Sequence, residues 1–288
     1  MSPSPTITIV IVNYNGGTHL ERCLASVAAH AADATVIVVD NASSDGSDLR
    51  ASRLPNVTVI RNRANTGFAV AVNQGVAAAA GVAPVLLLNP DCQLTAGAVE
   101  ELQRELDGHP ECAIAAPLVL DEDGTVQGSV RGDPTMLTGL FGRTTLLTRM
   151  LPNASAATRN VQTGPVRETA SRTADWVSGA CMLLRRAPFY AVGGFDERYF
   201  LYWEDADLCR RLRAHGHTIR YVPAAAVTHA GGASSRSARA LSIRAFHRSA
   251  FIYYRTHVAR SPLTRALAWV LLAARCRWKL ATSGAARE

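Results

Sequence analysis

The sequence predicts an α/β fold: a mixed, mostly parallel central sheet flanked by helices, with a helical C-terminal extension. Three observations lead there. Over the first 90 residues, β-branched runs alternate with helix-period segments, and strands joined by helices pair in parallel through right-handed crossovers. The run Ile7–Val12 is continuously apolar, the mark of a strand covered on both faces. Three strand ends pass at once into polar residues, Asn13-Tyr14-Asn15, Asp40-Asn41 and Asn89-Pro90-Asp91, and such sheets bind ligands outside the carboxyl ends of their strands.

The elements follow in order. Ile7–Val12 is a strand; Thr18-x-x-Glu21 then reads as a capping box, with Leu20, Leu24 and Val27 on one helical face. Thr35–Val39 and Val57–Ile60 are strands, Phe68–Ala80 an alanine-rich helix, and Val85–Leu88 the next strand. Thr95 reads as the cap of a helix running to Gly108, and Cys112–Leu120 as a strand before the turn Asp121-Glu122-Asp123-Gly124. Residues 131–173 carry Gly, Pro, Ser, Thr and Arg with little periodicity, and are expected to form a long flexible loop of a kind that is often functional. Trp176–Leu184 reads as one strand, Glu204–His215 as a helix stopped by Gly216, and Thr218–Val222 as a strand. The division expected is a domain over 1–235 and a basic extension over 236–288.

Bulk properties set bounds. In 288 residues, 48% hydrophobic and 18% charged side chains suit a globular protein with a sizeable core. A net charge of +7 and a pI near 9.4 favour anionic partners. The excess is concentrated between Arg236 and Lys279, where no Asp or Glu occurs. Pro3 and Pro5 precede the first strand with no leader peptide, and no apolar window reaches the roughly 18 residues of a spanning helix. The six cysteines are scattered, as buried thiols of a cytosolic protein would be.

Four groups of residues carry chemistry. Asp40-Asn41 with Ser43, Ser44 and Asp45 suits either a base or ribose contact or a plain strand-to-helix turn. Asp91, just past a buried strand, suits a hard divalent ion bridged to phosphate oxygens, while Asn89-Pro90 is also a turn former. Glu204, Asp205 and Asp207 open a helix, where the dipole favours acids in any case; the aromatic residues Tyr199, Phe200, Tyr202 and Trp203 beside them make a dry setting that suits a general base. His229 follows a strand and precedes Gly231-Gly232, and is either a packed residue or a ligand.

Taken in order, Asn13-Tyr14-Asn15, Val39-Asp40-Asn41 with Ser44-Asp45-Gly46, Asn65-x-Gly67-Phe68 with Asn73, Asn89-Pro90-Asp91, Gly193-Gly194-Phe195-Asp196-Glu197 and Glu204-Asp205-x-Asp207-Leu208 resemble the family 2 glycosyltransferases of the GT-A fold, in particular the rhamnosyltransferase-like branch. The resemblance spans about residues 6–232. It implies an inverting glycosyltransferase of cell-envelope glycan synthesis, using a nucleoside-diphosphate sugar (best matched by dTDP-rhamnose, otherwise a UDP- or GDP-sugar) and a polyprenyl-linked or glycan acceptor. It implies a divalent metal, Mg²⁺ or Mn²⁺, held by Asp91 and His229, and a donor pocket drawn from Asn13, Asn15, Asp40, Asn41, Asn65, Gly67, Asn73, Asn89 and Asp91. Asp205 becomes the general base with Glu204 as its rival, and Trp176 and Trp203 contact sugar rings. Asn89 replaces the first acid of the family's usual Asp-x-Asp motif, so a single carboxylate remains there.

In the extension, Leu263, Leu267, Val270, Leu271, Ala274 and Trp278 share a helical face, with Arg265, Arg275 and Lys279 opposite. Such a helix lies in an anionic membrane surface or packs on the core; lipid-linked acceptors favour the first and a location on the cytoplasmic, inner face of the cell membrane. A dinucleotide-binding enzyme would need G-x-G-x-x-G after the first strand, which Gly16-Gly17 does not supply. No nucleic-acid partner is expected, because carboxylates at the strand ends repel phosphate. A nucleotidyltransferase of the same fold type would instead release pyrophosphate. The oligomeric state is not encoded in any motif.

Overall fold

The computed structural model describes residues 7–134, 170–231 and 239–284. The chain begins β1 (Thr8–Asn13), α1 (Gly17–His30), β2 (Thr35–Asp40), α2 (Ser47–Ala51), β3 (Val57–Arg61), α3 (Phe68–Ala78) and β4 (Val85–Leu88). There follow β5 (Cys92–Leu94), α4 (Ala98–Gly108), β6 (Cys112–Leu120), β7 (Val130–Arg131), β8 (Arg172–Thr173), β9 (Trp176–Val177), β10 (Cys181–Leu184) and α5 (Arg186–Ala191). The last elements are α6 (Glu204–Ala214), β11 (Thr218–His229), α7 (Arg239–Tyr253), a π-helical turn (Tyr254–Val258) and α8 (Pro262–Thr282).

The sheet runs β3-β2-β1-β4-β10-β6-β11-β5, with β8 also on β11, and β7 pairs β9 separately. β3, β2, β1 and β4 are mutually parallel, as are β6 and β11, while β10 runs antiparallel between β4 and β6. The continuous apolar runs are explained by cover on both faces. Ile9, Ile11, Val36, Val38 and Leu86 meet α1 and α4, while the alternate residues Val10, Ile37, Val39 and Leu87 meet α3 and α6. Each such side chain contributes about 1.5–3 kcal/mol on burial. Gly75 lets α3 approach β1: a Cβ there would lie 2.4 Å from Val10 Cγ1.

Several local expectations give way to tertiary partners. α1 starts at Gly17, ahead of the proposed Thr18 box, because Asn13 Oδ1 and Asp45 Oδ2 accept from Gly16 and Gly17 N–H at 3.2 and 2.8 Å. Thr95 donates to the Ala226 carbonyl at 2.7 Å instead of capping α4. A capping box occurs at Ser261 and Thr264 of α8. The expected strand Trp176–Leu184 is broken into β9 and β10 around Gly179, and the strand expected at Thr218–Val222 continues past a bulge to His229. Five cysteines are buried free thiols and Cys276 is half-buried. Most of the loop expected over 131–173 lies outside the described residues, as does the boundary at 235/236.

α7 is packed into the molecule. Ser249 Oγ donates to the Leu201 carbonyl at 2.9 Å, and Ile252 and Tyr253 share a cluster with Tyr199 and Ala206 of the α6 region. α8 behaves differently. Its buried residue is Ala268, and the face turned outward is the apolar one. No helix among the described residues is long and apolar enough to cross a membrane.

Candidate functional site

The carboxyl ends of β1, β2 and β4 lie side by side, and the loops leaving them are tied into one floor. β1 and β2 bring Asn13 and Asp40 into register. Asn13, fully buried, donates from Nδ2 to Asp40 Oδ1 at 2.7 Å and to Ser47 Oγ at 2.8 Å. Asp40 also accepts from the Ser43 backbone N–H and hydroxyl. Asn15, with φ +52, accepts from Ser44 N–H at 2.8 Å. Asn41 donates to the Gly67 carbonyl at 3.1 Å and accepts from Asn62 and Thr66. Asn65 Oδ1 accepts from Gly67 N–H at 3.0 Å. Half or more of the expected donor residues are therefore engaged in holding loops, and Asn62 and Thr66 join them with no sequence motif to announce them.

Asn73 is turned elsewhere. Its amide pairs with both N–H and carbonyl of Phe195, at 3.0 and 2.9 Å, and so clamps the Gly193-Gly194 turn. Asn89 continues the sheet edge through its N–H, which donates to the Ala180 carbonyl at 2.8 Å.

Beyond β4, the chain turns through Pro90 into β5, which pairs with the end of β11 so that His229 is opposite Cys92. His229 Nε2 then lies 3.2 Å from Asp91 Oδ1. Gln127 orients this ring. Its Nε2 donates to Asp121 Oδ1 at 2.6 Å and to the His229 carbonyl at 2.8 Å, so its Oε1 faces His229 Nδ1, 2.9 Å away, as an acceptor. In a neutral ring the proton is thereby fixed on Nδ1, and Nε2 presents a lone pair to a carboxylate oxygen. Two acceptors face each other only with a proton or a cation between them, and a nitrogen and an oxygen ligand suit a divalent ion. Cys92 also lies within ligand distance of this pair, but its thiol is wholly buried in the apolar core beneath, and burial raises its pKa well above the ordinary thiol value. A hard ion is matched by Asp91 and His229, not by that thiol.

Of the α6 carboxylates, Asp205 reaches the bend next to Ala180, whose carbonyl accepts from Asn89 N–H. The break between β9 and β10 turns the Gly179 N–H toward Asp205 Oδ2, 3.0 Å away, and Oδ1 accepts from Ala206 N–H at 2.8 Å. Burial raises the Asp205 pKa; the two N–H groups and the charge of Arg131 work against that rise. Glu204 is 5% exposed, and its Oε2 is enclosed without a hydrogen-bond partner. Burial first, then the neighbouring Asp205 charge, pushes its pKa well above the carboxylate range. Asp207 faces away and holds His257 Nε2 at 2.6 Å and Arg211 Nε at 2.7 Å.

The two tryptophans part company. Trp176 donates from Nε1 to the Gly132 carbonyl at 2.9 Å and has Arg131 over its ring, on the rim near Asp205. Trp203 is packed against Phe246, Tyr253 and Tyr254 of the C-terminal elements. Arg131, Gln127 and Gly179 are site residues that no motif signalled; each arrives through strand pairing or a bend.

The chain matches the family described as glycosyltransferase-like family 2 over residues 3–251. It is 36% identical over 263 residues to N-acetylglucosaminyl-diphospho-decaprenol L-rhamnosyltransferase of Mycobacterium tuberculosis, covering 86% of this chain and 83% of that one. It is 42% identical over 79 residues to rhamnosyltransferase WbbL of Escherichia coli, 27% of this chain and 30% of that one. Among solved structures it is similar to GalNAc-T7 with UDP, GalNAc and Mn²⁺ (TM-score 0.60, 19% identity, 78% of this chain and 43% of that one). It is also similar to the mannosyltransferase PcManGT of Pyrobaculum calidifontis with GDP-Man and Mn²⁺ (TM-score 0.58, 16% identity, 99% and 81%). At these identities the structural likeness establishes the fold, which is GT-A.

Proposed function

The chain belongs to the glycosyltransferase-like family 2, and from that premise we propose that it catalyses inverting transfer of rhamnose from dTDP-rhamnose to a polyprenyl-linked acceptor in cell-envelope glycan synthesis. The relative of similar length named as a decaprenol-linked L-rhamnosyltransferase supports the sugar and the acceptor class. The observation that carries the chemistry is a pair of contacts linked through neighbouring residues: Asp91 beside His229, and Asp205 on the Gly179 N–H, with the adjacent Ala180 carbonyl accepting from Asn89 N–H.

In this reading, Asp205 is the base. Its two N–H partners favour the ionised form, whereas burial and the lack of a partner for one oxygen push Glu204 toward its protonated form. Asp205 takes the proton of the acceptor hydroxyl as that oxygen forms its bond to the anomeric carbon. The bond from that carbon to the diphosphate oxygen breaks on the opposite side, so the configuration inverts. Asp91 and His229 would hold a divalent ion, Mg²⁺ or Mn²⁺, which when bound neutralises charge on the leaving diphosphate. Asp40, Asn41 and Asn15 form the floor against which the nucleoside lies, with Asn13, Asn65 and Gly67 beneath it. Trp176 is the sugar-contacting tryptophan. The acceptor class of that relative supports a location on the cytoplasmic side of a membrane.

A donor panel tests the reading: dTDP-, UDP- and GDP-sugars, each with and without Mn²⁺ or Mg²⁺, followed by donor hydrolysis. Metal-dependent hydrolysis of dTDP-rhamnose above the others is expected; a UDP- or GDP-sugar preference would move the assignment to that donor. Asp205→Asn should lower transfer by about 10²–10⁴-fold while calorimetric donor affinity stays unchanged. Near-normal turnover in that variant would remove the base assignment.

A further inference from the structure

α8 is amphipathic, yet it packs on its own protein through its less apolar side. Ala268 is buried and Leu272, Arg275, Cys276 and Lys279 are half-buried, on the side toward α7, where Arg275 and Lys279 lie close enough to His247 to help burial depress its pKa. The outward side carries Leu263, Leu267, Val270, Leu271 and Trp278, with Leu263 78% and Trp278 60% exposed. A contiguous stripe of large apolar side chains in water is uncommon on a monomer and marks a surface that is covered in use.

The charge pattern selects what covers it. No Asp or Glu occurs over residues 236–284. Arg244, Arg248, Arg255, Arg260 and Arg277 are exposed on α7, the π-turn, the link that follows it and α8, with Arg277 bordering the stripe. A second copy meeting this stripe would bring like charges together. An anionic bilayer offers both partners at once, hydrocarbon for the stripe and headgroups for the arginines. The helix cannot span, so it would lie in the interface plane. We propose that the outward face of α8 is a docking surface for an anionic lipid bilayer, which holds the sheet edge beside a membrane-borne acceptor. The docking gives a physical basis to the membrane acceptor of the proposed function, yet it is measured without any sugar or acceptor, so the two stand or fall separately.

The test uses the full chain and acceptor-free vesicles of phosphatidylcholine, with and without phosphatidylglycerol, in a sedimentation assay. Binding to the mixed vesicles is expected, weakening with salt and about tenfold or more weaker on the neutral ones. Leu267→Ser with Leu271→Ser should reduce it at least about tenfold with an unchanged melting temperature, and Arg277→Glu about fivefold or more. Should the double variant melt early, brominated lipid decides the matter: quenching of wild-type tryptophan fluorescence that diminishes in Trp278→Phe supports docking, and its absence overturns it. Wild-type failure to bind mixed vesicles, equal binding by the double variant, or a reversible dimer abolished by that variant would each overturn the proposal.

Discussion

Glu204 and Asp205 are consecutive in sequence and opposite in environment, and the difference is a matter of hydrogen bonds. Asp205 has donors for both oxygens; Glu204 has an enclosed oxygen with none. A carboxyl whose pKa is raised in the folded chain binds its proton more tightly there than in the unfolded chain. It therefore favours the fold at acid pH and turns against it as pH rises through the folded value. Glu204 is such a group. Glu204→Gln is accordingly expected to raise the melting temperature more at pH 8 than at pH 5, read by calorimetry at the two pH values. Asp205 is raised as well, so the acid limb of the rate profile should lie above the ordinary aspartate range. His229 is governed by a side chain outside every motif. Gln127→Leu removes the acceptor that keeps the proton on Nδ1, and should weaken Mn²⁺ binding about 10–100-fold, measured by Mn²⁺ electron paramagnetic resonance.

At the scale of elements, the turn that starts α6 is under strain. Tyr202 and Trp203 have φ of +68° and +71°, a left-handed conformation costing of order 1–3 kcal/mol at a bulky residue. It is held from both sides. Below, the Phe200 carbonyl accepts from Phe68 N–H at 2.7 Å and lies against Gly67, where a Cβ would come within 2.5 Å of that oxygen. Above, the Trp203 ring is packed among Phe246, Tyr253 and Tyr254. Gly67, with φ +88°, thus has a structural duty in addition to its expected place near the donor. Gly67→Ala should destabilise the protein by about 3 kcal/mol or more, read from urea denaturation, and should lower turnover more than the distant Gly81→Ala.

At the scale of the molecule, the stretch from α7 onward is two things. α7 and the π-turn complete the domain through Ser249 on Leu201, Tyr253 in the cluster with Tyr199, and His257 on Asp207. α8 is an outward-facing addition. Deletion of 262–288 is therefore expected to lower the melting temperature only modestly, by uncovering one side of α7. Deletion from 236 onward should lower it sharply by exposing the Tyr199 cluster, and differential scanning fluorimetry of the two truncations checks the contrast.

What the sequence determined by itself was the alternation of apolar strand runs with helical segments, and the polar residues at strand ends. Both are local: β-branched runs and turn residues constrain their own backbone whatever lies around them. The ordered motifs also carried the family, because chemistry at a strand end requires particular side chains there. The tertiary structure alone decided which of those side chains face the cleft. Asn13 and Asn73 also hold loops through close partners, while Arg131 arrives through its pairing with Trp176, Gln127 through its side-chain bonds to Asp121 and the His229 carbonyl, and Gly179 at the bend between β9 and β10. It also decided which face of α8 looks outward. Amphipathic spacing gives the two faces of a helix but not the side on which its neighbour lies, since that depends on contacts far apart in the chain.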